Sequence, residues 1–137
     1  MRMLVVEDNE RDLCTAVDVA RSVGFSNVAV KRTVTSAREF LEYCLAGEAR
    51  FPDAIVLDLD LGYESGYELL RFWSITPPLA HSYMVVWSLL PEENCEVCVL
   101  FKPNAFVCKW EGPAALHAAL EHVKELHAVT GAPSDRR

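Results

Sequence analysis

The stretch Ala54-Ile55-Val56-Leu57-Asp58-Leu59-Asp60-Leu61 decides the fold. Its first part, 54–57, is apolar at every position, so neither side can face water. That pattern predicts a strand buried on both faces, as in a parallel sheet covered by helices. Pro52-Asp53 punctuates its start. The run then stops on Asp58, an acid that an apolar core rejects unless something pairs with it.

The same grammar recurs on either side. Residues 3–6 are apolar and stop at Glu7-Asp8; residues 83–87 stop at Ser88; residues 105–108 stop at Lys109. Residues 27–31 read as a further strand. Between the strands lie stripes at helical spacing. Asn9 can cap the first helix, whose stripe is Leu13, Ala16, Val17, Ala20 and Val23, ended by Gly24. Thr35 or Ser36 is expected to open the second helix, with Ala37, Phe40, Leu41, Cys44 and Leu45 inward and Gly47 closing it. A third follows Ser65-Gly66 and carries Leu69, Leu70 and Phe72. Residues 92–100 read as a weak helix. Pro113 suits the first turn of the last helix, whose stripe is Leu116, Ala119, Leu120, Val123 and Leu126, with Gly131 ending it. The order is β-α five times over. The expected class is α/β, a (βα)5 doubly wound five-stranded parallel sheet. One domain is expected over 1–129, followed by a short polar tail, 130–137.

The chain has 137 residues, enough for one domain with a real core, and its 51% hydrophobic and 24% charged content is that of a globular protein. No apolar run approaches the ~20 residues of a membrane helix, and the N-terminal run turns acidic too soon for a signal peptide. A cytoplasmic, stand-alone domain with reduced cysteines is therefore expected. A net charge of -7 argues against direct nucleic-acid binding, which rests on basic side chains.

In an open parallel α/β sheet the ligand site lies at the carboxyl ends of the strands. Glu7, Asp8, Asp58, Ser88 and Lys109 should meet there. Clustered carboxylates invite a hard divalent cation such as Mg2+ (or Mn2+). With such a cation present, an ionised Asp58 can attack phosphorus, while Lys109 neutralises phosphoryl oxygens and Ser88 donates a hydrogen bond.

These residues resemble the response-regulator receiver family, whose fold is termed flavodoxin-like or CheY-like, and the match covers nearly the whole chain. The acidic pair after the first strand is matched by Glu7-Asp8, and the phospho-accepting Asp after the third by Asp58. Gly66 matches a glycine eight residues later, Ser88 the hydroxyl ending the fourth strand, and Lys109 the lysine after the fifth. Phe106 matches the switch aromatic. The resemblance implies a single-domain response regulator, not a classical enzyme, that takes a phosphoryl group from a histidine kinase or phosphotransfer protein and loses it by assisted autodephosphorylation. It implies metal ligation by Asp8, Asp58 and the carbonyl of Asp60, with Glu7 acting through water. It also implies contact with a downstream protein through the fourth helix, fifth strand and fifth helix. Four positions depart from the family. Trp110 replaces the usual Pro after the lysine, so a trans bond is expected there. Leu89 stands where a small residue is usual and should crowd the mouth of the site. Gly62 stands where Pro is common, and Ser88 replaces Thr.

Two other readings stay open. Asp58-Leu59-Asp60 is similar to the DxD motif of haloacid-dehalogenase-like phosphatases, which normally lies on a first strand; turnover of a generic phosphate ester would support it. A receiver-fold interaction module working without phosphorylation is motivated by Leu89 and Trp110. The remaining chemistry-bearing residues have plain readings. Cys95 and Cys98 form a CxxC without a second ligand pair and are expected to be inert helix cysteines. His117, His122 and His127 are spaced by five and are expected on solvated helix positions. Phe106 is as readily core as switch.

Overall fold

The computed structural model describes residues 1–61, 64–90 and 95–130. Strands β1 (Arg2–Val6), β2 (Asn27–Lys31), β3 (Ala54–Leu57), β4 (Tyr83–Ser88) and β5 (Ala105–Cys108) form one parallel sheet in the order β2-β1-β3-β4-β5. Helices α1 (Glu10–Val23), α2 (Val34–Leu45), α3 (Gly66–Ser74), α4 (Glu96–Phe101) and α5 (Pro113–Thr130) connect or follow them. The order reverses between β1 and β3, which opens a crevice at their carboxyl ends.

Successive strand residues point to opposite faces, and both faces of the central strands β1, β3 and β4 are dry. Leu4, Val6, Ile55, Leu57, Met84 and Val86 pack with Leu41, Leu69 and Leu70 of α2 and α3. Met3, Val5, Val56, Val85 and Trp87 pack with Ala16, Ala20, Leu116 and Leu120 of α1 and α5. This is the doubly wound (βα)5 arrangement that the continuous apolar runs require. Among the described residues no helix is long and apolar enough to cross a membrane.

The helix ends follow their capping chemistry. Asn9 Oδ1 accepts the Asp12 N–H at 3.0 Å, and Gly24 closes α1 at φ 124° by donating its N–H to the Ala20 carbonyl. The start of α2 differs from expectation. Its cap is Thr33, an extended residue whose hydroxyl accepts the Ser36 N–H at 3.1 Å. Ser36 therefore supplies a first-turn donor to the cap and is not the cap itself.

Two further expectations are corrected. Cys95 and Cys98 are joined as a disulfide, not separate thiols. α4 begins only at Glu96, and the i, i+3 spacing across its first turn brings the two Cα atoms to 5.5 Å, within bridging range. His127 is not simply solvated: its Nδ1 lies 3.6 Å from Asp53 Oδ1, because α5 runs back past the loop before β3. The expectations for Gly62 and Gly131 lie outside the described residues, as does the expected tail 130–137 apart from Thr130, which is the last residue of α5.

Candidate functional site

Each polar strand end has a backbone reason to be where it is. The sheet ladder continues one residue past the apolar runs: Glu7 N–H donates to the Lys31 carbonyl at 3.1 Å, and Asp58 N–H to the Val6 carbonyl at 3.0 Å. These bonds hold both carboxylates at the crevice. Ser88 is the last residue of β4, and Lys109 follows β5 directly. Glu7, Asp58 and Ser88 are buried, while Asp8 is exposed. The peptide bonds among the described residues are all trans, that between Lys109 and Trp110 included.

One carboxylate oxygen from each of Glu7, Asp8 and Asp58 lies within 4.8 Å of the others. Asp58 Oδ1 accepts the Asp60 N–H at 3.1 Å, and Glu7 Oε2 accepts the Asn9 N–H at 3.1 Å. The Lys109 ammonium reaches into the cluster, 2.8 Å from Glu7 Oε1, 2.8 Å from Asp12 Oδ2 and 3.5 Å from Asp58 Oδ2. It also sits 4.8 Å above the Trp87 ring, a cation–π arrangement. Three carboxylates, Glu7, Asp12 and Asp58, thus lie within 4 Å of one ammonium, and Asp8 adds a fourth beside Glu7 and Asp58. That excess of hard anionic oxygen fits a divalent cation.

The crowding is visible in the proton affinities. Burial pushes the Glu7 carboxyl up to about 7, against the pull of its hydrogen bond to Lys109 and with the help of the Asp58 charge. Burial raises Asp58 as well, although Lys109 opposes it. For Lys109, burial favours the neutral amine, but hydrogen bonds to Asp12 and Glu7 outweigh this and raise its pKa.

Asp8, Asp12, Asp58, Ser88 and Lys109 open into a cleft of about 780 Å³ that also presents Asp60, Ser65, Tyr67, Leu89 and Leu90. The Ser88 hydroxyl accepts the Leu90 N–H at 3.2 Å, which leaves its own O–H to donate. Leu89 is 56% exposed at the cleft, so the bulky group does stand at the mouth. Phe106 is half-buried against the core and pairs in register with Val86, one residue short of Trp87.

Gly66 opens α3 with its N–H on the Leu59 carbonyl at 3.0 Å. A Cβ there would collide with the Asp58 carbonyl oxygen and stand 2.7 Å from the Leu59 Cα. Both obstacles are backbone, and they belong to the segment that carries the acid. Gly66→Ala is therefore expected to lower stability by about 2–3 kcal/mol. Urea denaturation measures this, and an unchanged midpoint would contradict the close approach.

Sequence reading missed two members of the site. Asp12 reads as an ordinary acid in the first turn of a helix. Trp87 reads as a core strand residue, yet it lies directly beneath Lys109. Its indole beneath the Lys109 ammonium makes it a fluorescent reporter of the site.

No protein-family model and no curated protein matches the chain by sequence. Solved structures do match by fold. The phosphorylated cyanobacterial phytochrome response regulator RcpA is 24% identical with a TM-score of 0.73, spanning 94% of this chain and 94% of that one. The Mn2+-bound form of response regulator Rcp1 is 22% identical with a TM-score of 0.71, spanning 90% and 91%. Chemotaxis response regulator CheY4 of Vibrio cholerae is 18% identical with a TM-score of 0.72, spanning 89% and 97%. The fold is that of response-regulator receiver domains.

Proposed function

We propose that this chain is a response-regulator receiver domain that accepts a phosphoryl group on Asp58 and signals by protein contact. The observation that carries the reading is the buried Asp58 carboxylate held between an acidic oxygen cluster and the Lys109 ammonium at 3.5 Å. A generic strand-end acid would have neither neighbour.

The residues that would hold Mg2+ or Mn2+ are Asp8, Asp58 and the backbone carbonyl of Asp60, with Glu7 beside them. When bound, the cation supplies neutralisation of the charge that gathers on the phosphoryl oxygens. The chain's own groups do the rest. Asp60 N–H fixes Asp58 Oδ1 and so orients the carboxylate. An Asp58 oxygen forms the new O–P bond while the bond from phosphorus to the donor breaks and its electron pair leaves on the donor. Lys109 and the Ser88 hydroxyl receive the phosphoryl oxygens. The donor is a histidine kinase or phosphotransfer protein. For output, Val99 and Leu100 on α4 and Trp110 after β5 are 74%, 73% and 79% exposed, which supports a downstream protein contact on the α4-β5-α5 face. In this reading Phe106 on β5, the counterpart of the family's switch aromatic, couples that face to Ser88.

Incubation with acetyl phosphate and Mg2+, followed by intact mass measurement, tests the reading. One phosphoryl group per chain is expected. Continuous turnover of a generic phosphate ester would favour the phosphatase reading, and no label at all the unphosphorylated interaction module.

The Glu7 proton sets a pH dependence. Because its folded pKa of about 7 lies above the ordinary 4.5, the folded metal-free chain keeps a proton that the unfolded chain has lost. Stability from this group is full below about 4.5 and falls as pH rises towards 7. A cation entering the cluster displaces that proton. Mg2+ affinity is therefore expected to rise about tenfold from pH 6 to pH 8, read by calorimetry or Trp87 fluorescence. An affinity that is flat over that range would contradict a protonated Glu7.

A further inference from the structure

We propose that Asp12 is a positioning residue that parks the Lys109 ammonium away from the acceptor until a phosphoryl group arrives; this rests on the receiver reading above. The acidic pair and the acceptor account for two of the ammonium's neighbours. The third is Asp12, which lies in the first turn of α1 and outside the metal-ligand set. Its Oδ2 lies 2.8 Å from Lys109 Nζ, nearer than the 3.5 Å to Asp58 Oδ2. The nitrogen is therefore drawn to the α1 side of the crevice, between Glu7 and Asp12.

The contact is built from the start of α1. Asn9 Oδ1 caps the helix through the Asp12 N–H itself, which fixes the backbone of Asp12 at the cleft. The Lys109 side chain is 7% exposed and that of Asp12 is 30% exposed. The ammonium therefore has little solvent to turn to, and its carboxylate partners decide where it points.

The consequence is a competition. Capture of a phosphoryl group draws Lys109 from the Asp12 side of the crevice towards a phosphoryl oxygen at Asp58. Loss of the group starts from a state in which that shift has already happened. Removing the Asp12 charge should therefore ease the forward step and leave the reverse hydrolysis alone. A purely structural role for Asp12 would not separate the two rates.

The test compares wild type, Asp12→Asn and Asp12→Glu. Acetyl phosphate labelling of Asp12→Asn in Mg2+ is expected to be about fivefold faster, the size of one partly exposed ion pair. Its autodephosphorylation should stay within about twofold. Asp12→Glu keeps a carboxylate in reach and should return the labelling rate towards wild type. In parallel, solvent exchange of the Lys109 ammonium protons is followed by NMR in the metal-free protein, where no phosphorylation is needed. Exchange should be several-fold faster in Asp12→Asn. Equal exchange in the two proteins would overturn the proposal, as would equal labelling rates or a matching change in both rates. If wild type takes no label, the receiver reading fails, and the exchange measurement still decides whether Asp12 holds Lys109.

Discussion

Lys109→Ala should slow phosphoryl transfer from acetyl phosphate by about 100-fold or more, while Mg2+ binds at least as tightly as in wild type. Both halves follow from the place of the ammonium. The Lys109 side chain is 7% exposed and its ammonium lies 3.5 Å from Asp58 Oδ2. In the transfer, charge spreads over the phosphoryl oxygens. A preorganised donor aimed at such charge contributes on the order of 100–1,000-fold in rate. The binding half has the opposite sign. Lys109 already neutralises part of Glu7 and Asp58, so it competes with a cation for the same oxygens. Its removal leaves the carboxylates less satisfied and the cation more welcome. Circular dichroism distinguishes this from unfolding, since breaking a buried pair has its own stability cost. A labelling rate within twofold of wild type would mean that Lys109 has only a structural part.

Much of this site was legible because β-α alternation obliges strand ends to converge. Once 54–57 is read as a strand buried on both faces, Asp58 must lie at the crevice, and Glu7, Ser88 and Lys109 follow from the same rule. Gly66 was legible as a position, but not its reason. The closeness of its backbone to the Asp58 carbonyl appears only when α3 is placed against the end of β3. Asp12 was illegible for a related cause. Its neighbour Lys109 is 97 residues away, and no local pattern records that α1 starts beside the turn after β5. Trp87 was hidden by its own hydrophobicity, since a strand residue that fills the core needs no further explanation. The cysteines show the converse: the spacing of Cys95 and Cys98 was read, but the bridge between them was not.

The central claim is that Asp58 is the phosphoryl acceptor, and Asp58→Asn tests it most directly. The amide keeps the size of the carboxylate and can still accept the Asp60 N–H. It relieves repulsion with Glu7, so the fold should persist, but it cannot serve as the anionic nucleophile. Wild type and Asp58→Asn are incubated side by side with acetyl phosphate and Mg2+ and weighed intact, with fragmentation to locate any added group. Wild type should carry one phosphoryl group on Asp58 and Asp58→Asn none. A labelled Asp58→Asn, or a wild-type label located at any other residue, would contradict the account.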